Sequence, residues 1–328
     1  MFFHRWGVTA YLTGFLLTCV LWVATVAVAT EVEDGAVRTQ LGRMLEAMRS
    51  RNYVSRVVHA QGNQLRSFEV WHQSDHEWER EQWMVLDGPP RVLLRQDHSS
   101  LFTMSEKGPI PIEAVQYQQQ MFGGQPADID SIAQYYHFAA LGESRVAGRA
   151  AQVIGLIPRD PWRYGRRYFL DLESALPLKT DITDAQGLPV EQFLLISISL
   201  DPPPATFPAW PLDIKPPLEE KDPPAGTAEP IWTFTQLPPG FRLQRQTWFS
   251  RSGNQVTHSI LGDGLASISV YVEPAGNEGA SPVDLALGGT HTLSQRVGAF
   301  DVTALGEVPA VTLRAILDTL RPEAPAHD

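Results

Sequence analysis

The chain has 328 residues and 37 Asp and Glu against 26 Lys and Arg, for a formal net charge of −11. Such acidity argues against nucleic acid and generic anionic surfaces as partners. Cys19 is the sole cysteine, which leaves no material for a disulfide framework, so the fold must rest on core burial, which a chain of this length can supply as two domains.

The first 29 residues read as an export leader. His4, Arg5 and Trp6 form a short basic start, an uncharged apolar run follows from Val8 to Ala29, and Ala27-Val28-Ala29 matches the small-residue pattern of signal peptidase. Cys19 would leave with the leader. N-terminal sequencing of the exported protein is expected to begin at Thr30; recovery of an intact Met1 in the membrane fraction would reject the cleavage. An uncleaved membrane anchor and a lipidated Cys19 are the competing readings.

Glu31–Arg51 is predicted as a helix, with Val37, Leu41, Met44, Leu45 and Met48 on one apolar stripe. Alternating runs then predict strands over Tyr53–Gln61, Gln64–His72, Glu77–Leu86, Arg91–Gln96 and Leu101–Ser105, punctuated by Gly62-Asn63 and Asp87-Gly88-Pro89-Pro90. A second helix is expected over Ile129–Leu141, capped by Asp128 or Asp130. Three further strands are expected at Ala151–Ile157, Arg163–Asp171 and Glu191–Leu200. Sheet plus helices gives an α+β class.

Asp201–Pro230 holds ten prolines in 30 residues and reads as a semi-rigid linker. Phe207, Trp210 and Leu212 within it could dock on a domain. Limited proteolysis is expected to cut there first. Beyond it, Trp232–Thr235, Phe241–Ser250, Val256–Gly262, Ala266–Glu273 and Val297–Leu305 read as strands, Asp284–Leu287 as the start of a short helix, and Val311–Leu320 as a closing helix. Residues 231–322 thus form a smaller C-terminal α+β domain, with a frayed tail over 323–328.

No stretch assembles catalytic machinery. His72 and His76 are four apart, but in a turn between strands rather than on a helix, so metal-ligand geometry is not expected. No nucleophile–base pair or phosphate loop is present, and neither catalysis nor a cofactor is expected. Two features point to binding instead. Phe68, Val70, Met84, Leu86, Ile154, Leu156, Phe169 and Leu195 lie on strand faces that could wall an apolar cleft for acyl chains; packed core is the default reading for any one of them. Six arginines fall within residues 145–167, and Arg163, Arg166 and Arg167 are the candidates for an anion-facing patch. Solvated strand faces are the plainer alternative.

The punctuation from Gly142 to Leu200 is particular: Arg159-Asp160, Arg163-Tyr164, Leu170-Asp171, Glu173, Leu176-Pro177-Leu178 and Asp181. Together with Asn52-Tyr53, Asp87–Arg91, Tyr135–Phe138, Trp232, Leu237–Phe241, Gly262–Leu265 and Ser267–Val270, it resembles the MucB/RseB family over nearly the whole chain after the leader. The resemblance implies an unclosed, lipoprotein-carrier-like antiparallel β-barrel over residues 30–200. It implies a periplasmic location and a partner, the periplasmic domain of a membrane-anchored anti-sigma factor. Binding would shield that partner from site-one proteolysis and so repress an envelope-stress sigma factor. Lipopolysaccharide or another envelope lipid would release it. Phe241 and the half-polar strand face of Ser267, Ser269 and Tyr271 are the candidate partner contacts in the C-terminal domain. A homo-oligomer is compatible with this reading. The alternative function is a plain periplasmic lipid or lipoprotein carrier.

Overall fold

The structure, a computed structural model, describes residues 34–75, 78–88, 92–96, 100–105, 108–111, 128–203, 206–208, 232–251, 254–276 and 283–322. The expected leader, most of the expected linker and the expected tail lie outside the described residues.

Helix α1 covers residues 34–50. Its stripe of Val37, Leu41, Met44, Ala47 and Met48 is buried, and Leu45 packs partly against the same core. Asp34 and Arg38 pair one turn apart at 2.7 Å, favourable for an acid at a helix start. The helix ends where Arg51 N–H bonds Ala47 carbonyl at 3.0 Å and Tyr53 begins a strand.

Eleven strands follow: β1 Tyr53–Gln61, β2 Gln64–Ser74, β3 Glu79–Val85, β4 Val92–Gln96, β5 Ser100–Ser105, β6 Gly108–Pro111, β7 Tyr136–Val146, β8 Arg149–Pro158, β9 Gly165–Asp171, β10 Pro177–Thr183 and β11 Pro189–Leu200. They make one sheet in the order β6-β5-β4-β3-β2-β1-β11-β10-β9-β8-β7, antiparallel throughout. The first strand pairs with the last, while edge strands β6 and β7 do not pair with each other, so the sheet stays open. One face carries α1. Val57, Phe68, Val70, Trp83, Leu93, Phe138, Ile154, Leu156, Tyr168, Leu178 and Leu195 share a single buried cluster with the helix stripe. Each such side chain contributes roughly 1.5–3 kcal/mol by leaving water.

Two expectations need correction here. The helix expected over Ile129–Leu141 is a single turn, α2, Ile129–Ile132, capped by Asp128, whose carboxylate accepts from Asp130 N–H at 2.9 Å. From Tyr136 the chain is strand, with buried Tyr136 and Phe138 alternating with exposed His137. Ile132, Tyr135, Tyr136 and Ala139 fit a helical spacing, but Tyr136 and Ala139 belong to the sheet and Tyr135 to the turn before it. Strand β10 was not foreseen, because Leu178, Thr180, Asp181 and Ile182 are all buried, and a strand covered on both faces shows no alternation.

The C-terminal lobe is built from β12 Trp232–Phe234, β13 Arg242–Arg251, β14 Asn254–Gly262, β15 Ser267–Pro274, β16 Asp284–Leu287, β17 Thr290–Val297, β18 Phe300–Gly306, helix α3 Ala310–Thr319 and β19 Leu320–Pro322. Six strands form a sheet in the order β13-β14-β15-β18-β17-β16, and β12 pairs with β19. Leu313, Ile316 and Leu317 of α3 close over Trp232, Leu261, Ile268, Val270, Val302 and Ala304. Asp284–Leu287, expected to start a helix, is an edge strand instead. It pairs with β17 across Gly288-Gly289, with Leu287 opposite Thr290 and Gly288 at φ 57°.

Candidate functional site

The first site is the junction between the lobes. The turn after β8 delivers Arg163. Asp160 Oδ1 accepts from Trp162 N–H at 3.0 Å and from Arg163 Nε at 2.9 Å, which fixes the turn and aims the guanidinium. Arg163 Nη1 then donates to Asp263 Oδ2 at 2.6 Å, and Nη2 to Pro239 carbonyl at 2.5 Å. The guanidinium lies 4.6 Å from the Tyr135 ring centre and 5.1 Å from that of Phe241. Asp263 sits in the β14–β15 turn, where its Oδ1 accepts the amides of Leu265 and Ala266 at 2.9 and 2.7 Å. Tyr136 hydroxyl donates to Asp263 Oδ2 at 3.2 Å; burial, with the Asp263 charge behind it, pushes its ionisation well up. Gly240, at φ 85°, packs so close that a Cβ would lie 2.6 Å from the Tyr135 ring.

Three more contacts lock the lobes. Arg166 donates to Glu307 Oε1, and Thr312 hydroxyl donates to Trp162 carbonyl at 2.7 Å. Glu191 Oε1 meets His59 Nε2 at 2.6 Å, and its Oε2 accepts from Gly289 N–H at 3.1 Å. The residues at this junction include several of the motifs singled out in the sequence: Tyr135-Tyr136, Asp160, Arg163, Pro239–Phe241 and Gly262–Leu265.

The anion-patch expectation changes accordingly. The side chains of Arg163 and Arg166 are 0% and 1% exposed and are matched by carboxylates of the other lobe, so they do not face an external anion. Arg167 points to the opposite face, as strand alternation requires. It pairs with Asp181 at 3.5 Å and donates to Gly187 carbonyl at 2.9 Å. The three arginines are therefore not brought together. Among the partner-binding candidates, Phe241 is buried beneath Arg163, and Ser269 is buried against His258 Nε2 at 3.0 Å. Ser267 and Tyr271 are half-buried, with Tyr271 stacked on the His258 ring at 4.4 Å.

The second site is a groove of about 620 Å³ on the sheet face opposite α1. Its floor is one cross-strand row, Phe169, Lys179, Leu194 and Val58, paired in register across β9, β10, β11 and β1. Ala60, Gln192 and the end of β7 with the turn residue after it, Ser144–Ala147, complete it. Lys179 Nζ lies 4.7 Å from the Phe169 ring centre and 3.0 Å from Asp181 Oδ1. Arg145 stands exposed at the rim.

Of the eight cleft candidates, Phe169 lies in the floor of this groove, while Leu195, which borders it, is buried in the core that faces α1. Phe68, Val70, Ile154 and Leu156 are packed core against α1. Met84 is half-buried on the other face, opposite Glu69, and Leu86 is exposed beyond β3. Sequence reading missed Leu65 and Ile196, 69% and 55% exposed at the groove rim. Ile196 keeps the alternation of Gln192 and Leu194 on the groove face, and the bulge, where Arg56 pairs with Ser197 and Val57 with Leu195, shifts the face only of the residues after it. For the His72/His76 spacing, His76 lies outside the described residues. His72 is buried, its ring nitrogens meeting Arg51 carbonyl and Glu79. Among the described residues no cluster of His, Cys, Asp and Glu is arranged to hold a metal ion.

Comparison with known proteins fits this two-lobed build. Residues 36–218 match the family model described as the MucB/RseB N-terminal domain, and residues 226–321 match the MucB/RseB C-terminal domain. The Sigma factor AlgU regulatory protein MucB of Pseudomonas aeruginosa is 30% identical over 309 residues, covering 91% of this chain and 94% of that protein. The Sigma-E factor regulatory protein RseB of Haemophilus influenzae is 24% identical, covering 93% and 96%. The structure of the Pseudomonas aeruginosa MucA/MucB complex superposes with a TM-score of 0.70 at 28% identity, over 88% of this chain and 99% of that one. With both halves matched in order, this chain belongs to the MucB/RseB family.

Proposed function

We propose that this chain is a periplasmic sigma-factor regulator that binds the periplasmic domain of a membrane-anchored anti-sigma factor, shields it from site-one proteolysis and is released by lipopolysaccharide or a related envelope lipid. The observation that carries this reading is the similarity, across both lobes, to a MucB solved together with MucA. The leader at residues 1–29 would deliver the protein to the periplasm. Action by binding rather than catalysis accords with a family of regulatory binding proteins. Release is then a matter of linkage: a lipid displaces the partner only if it prefers the partner-free arrangement.

The groove around Phe169 is the place we assign to an acyl chain, with Arg145 and Lys179 positioned for an acidic headgroup. The test titrates the full exported chain with the periplasmic domain of the cognate anti-sigma factor, then competes with lipopolysaccharide. Saturable binding and slower site-one cleavage are expected. No binding to that domain, with lipoproteins captured instead, would select the carrier reading. Placing Asp at Ile196, which is largely exposed, is expected to weaken lipid competition roughly tenfold, about 1.4 kcal/mol, while leaving the thermal midpoint near that of the unaltered protein. A folded variant that competes normally would remove lipid from the groove.

A further inference from the structure

Where the lobes meet, the buried carboxylates among the described residues outnumber the described arginines that face them. Asp263, Glu307 and Glu191 are all buried. Arg163 is taken by Asp263, with Asp160 at the edge, and Arg166 by Oε1 of Glu307. Glu191 is left with His59, the Gln61 amide and the Gly289 N–H. Oε2 of Glu307 is buried with no hydrogen-bond partner among the described residues.

Glu191 comes from β11 and Glu307 from the end of β18, and they close on Gly289 from the two lobes. A Cβ at Gly289 would lie 3.2 Å from Glu307 Cγ and 3.4 Å from Glu191 Oε2. The other charged and titratable groups around the pair are Tyr164, Arg166 and Tyr168 at β9, His59 on β1 and His291 on β17, whose ring stacks on Tyr164. Tyr136 on β7 and Asp263 in the β14–β15 turn act on Arg166 from behind.

A buried carboxylate oxygen without a donor costs free energy when charged, and like charges across a buried contact add to that cost. Protonation removes both penalties. We infer that docking of the two lobes takes up one proton on the Glu191–Glu307 pair, making the lobe contact a proton-linked latch that is tightest in acid and weakens steadily as the pH rises through neutrality. Burial raises the Glu307 carboxyl, Arg166 opposes the rise and Glu191 adds to it, placing it at about 8. The docked form thus binds the proton more tightly than the separated one, where the carboxyl returns to the ordinary range. The latch contribution is complete below that ordinary range and is lost as pH rises through about 8. Any ligand that prefers one lobe arrangement becomes pH-dependent in its binding. This inference does not rest on the identity of the partner.

The experiment uses the full chain without partner or lipid. Glutamate carboxyl carbons are followed by NMR from pH 4 to 10, and exchange at the Gly289 amide is measured from pH 6 to 9 after correction for base catalysis. Glu307 is expected to titrate well above the ordinary carboxyl range. Corrected exchange at Gly289 is expected to rise with pH, by up to about tenfold per unit, below pH 8 and to level off above it, where both forms are ionised, while amides around Leu41 in α1 stay protected. Glu307→Gln should flatten the exchange profile, and Glu191→Gln should move the Glu307 midpoint down. Titration of Glu307 in the ordinary range, or an unchanged exchange profile in Glu307→Gln, overturns the latch. Should Glu307→Gln fail to fold, the carboxyl titration of the unaltered chain decides alone.

Discussion

Replacing Arg163 by Ala is expected to lower unfolding stability by about 3–5 kcal/mol, the usual result of removing one member of a buried ion pair. The reason is what remains behind. Asp263 would keep its backbone amides and the Tyr136 hydroxyl but lose the guanidinium that bonds it. Pro239 carbonyl would lose its donor, and a void would open between the Tyr135 and Phe241 rings. Urea denaturation at neutral pH measures the effect. Because Arg163 bridges the lobes, the variant should also show earlier cleavage between them under limited proteolysis. A double replacement, Arg163→Met with Asp263→Leu, should recover much of the loss, since an apolar pair removes the stranded charge. A loss under about 1 kcal/mol for Arg163→Ala would place the guanidinium in solvent.

Leu41→Ala is expected to cost about 2–5 kcal/mol, from lost transfer energy plus a cavity. Leu41 is fully buried at the centre of the α1 stripe, where the helix closes the open sheet. Leu141→Ala is the control. That side chain is 47% exposed in the β7 bulge, and its loss should stay within about 0.5 kcal/mol. Equal losses at the two positions would mean that α1 does not carry the core of the N-terminal lobe.

How legible each element was follows from what covers it. Strands with one wet face were readable: β1 matched its expected span, Tyr53–Gln61, residue for residue. Strands β2, β8 and β14 differed by a few residues at their ends. Strand β10 was hidden because both its faces are covered. Strand β7 was hidden because Ile132, Tyr135, Tyr136 and Ala139 carry a spacing that a helix also satisfies. The rim residue Ile196 shares the alternation of Gln192 and Leu194; what local pattern could not show is that this face forms a groove with other strands.

The sequence by itself determined the helix stripe of α1, the hairpin punctuation, the two-part division and the family, because these rest on local periodicity, turn chemistry and the order of short motifs. The tertiary structure alone decided the roles of the charged residues. Arg163 and Arg166 stand among six arginines that a linear reading gathers into one patch, yet two of them are bound by Asp263 and Glu307, 100 and 141 residues away. The same holds for the groove, whose row of Phe169, Lys179, Leu194 and Val58 comes from four strands. Charge pairing and cross-strand register act between segments distant in the chain, and no local pattern of residues encodes which distant partner arrives.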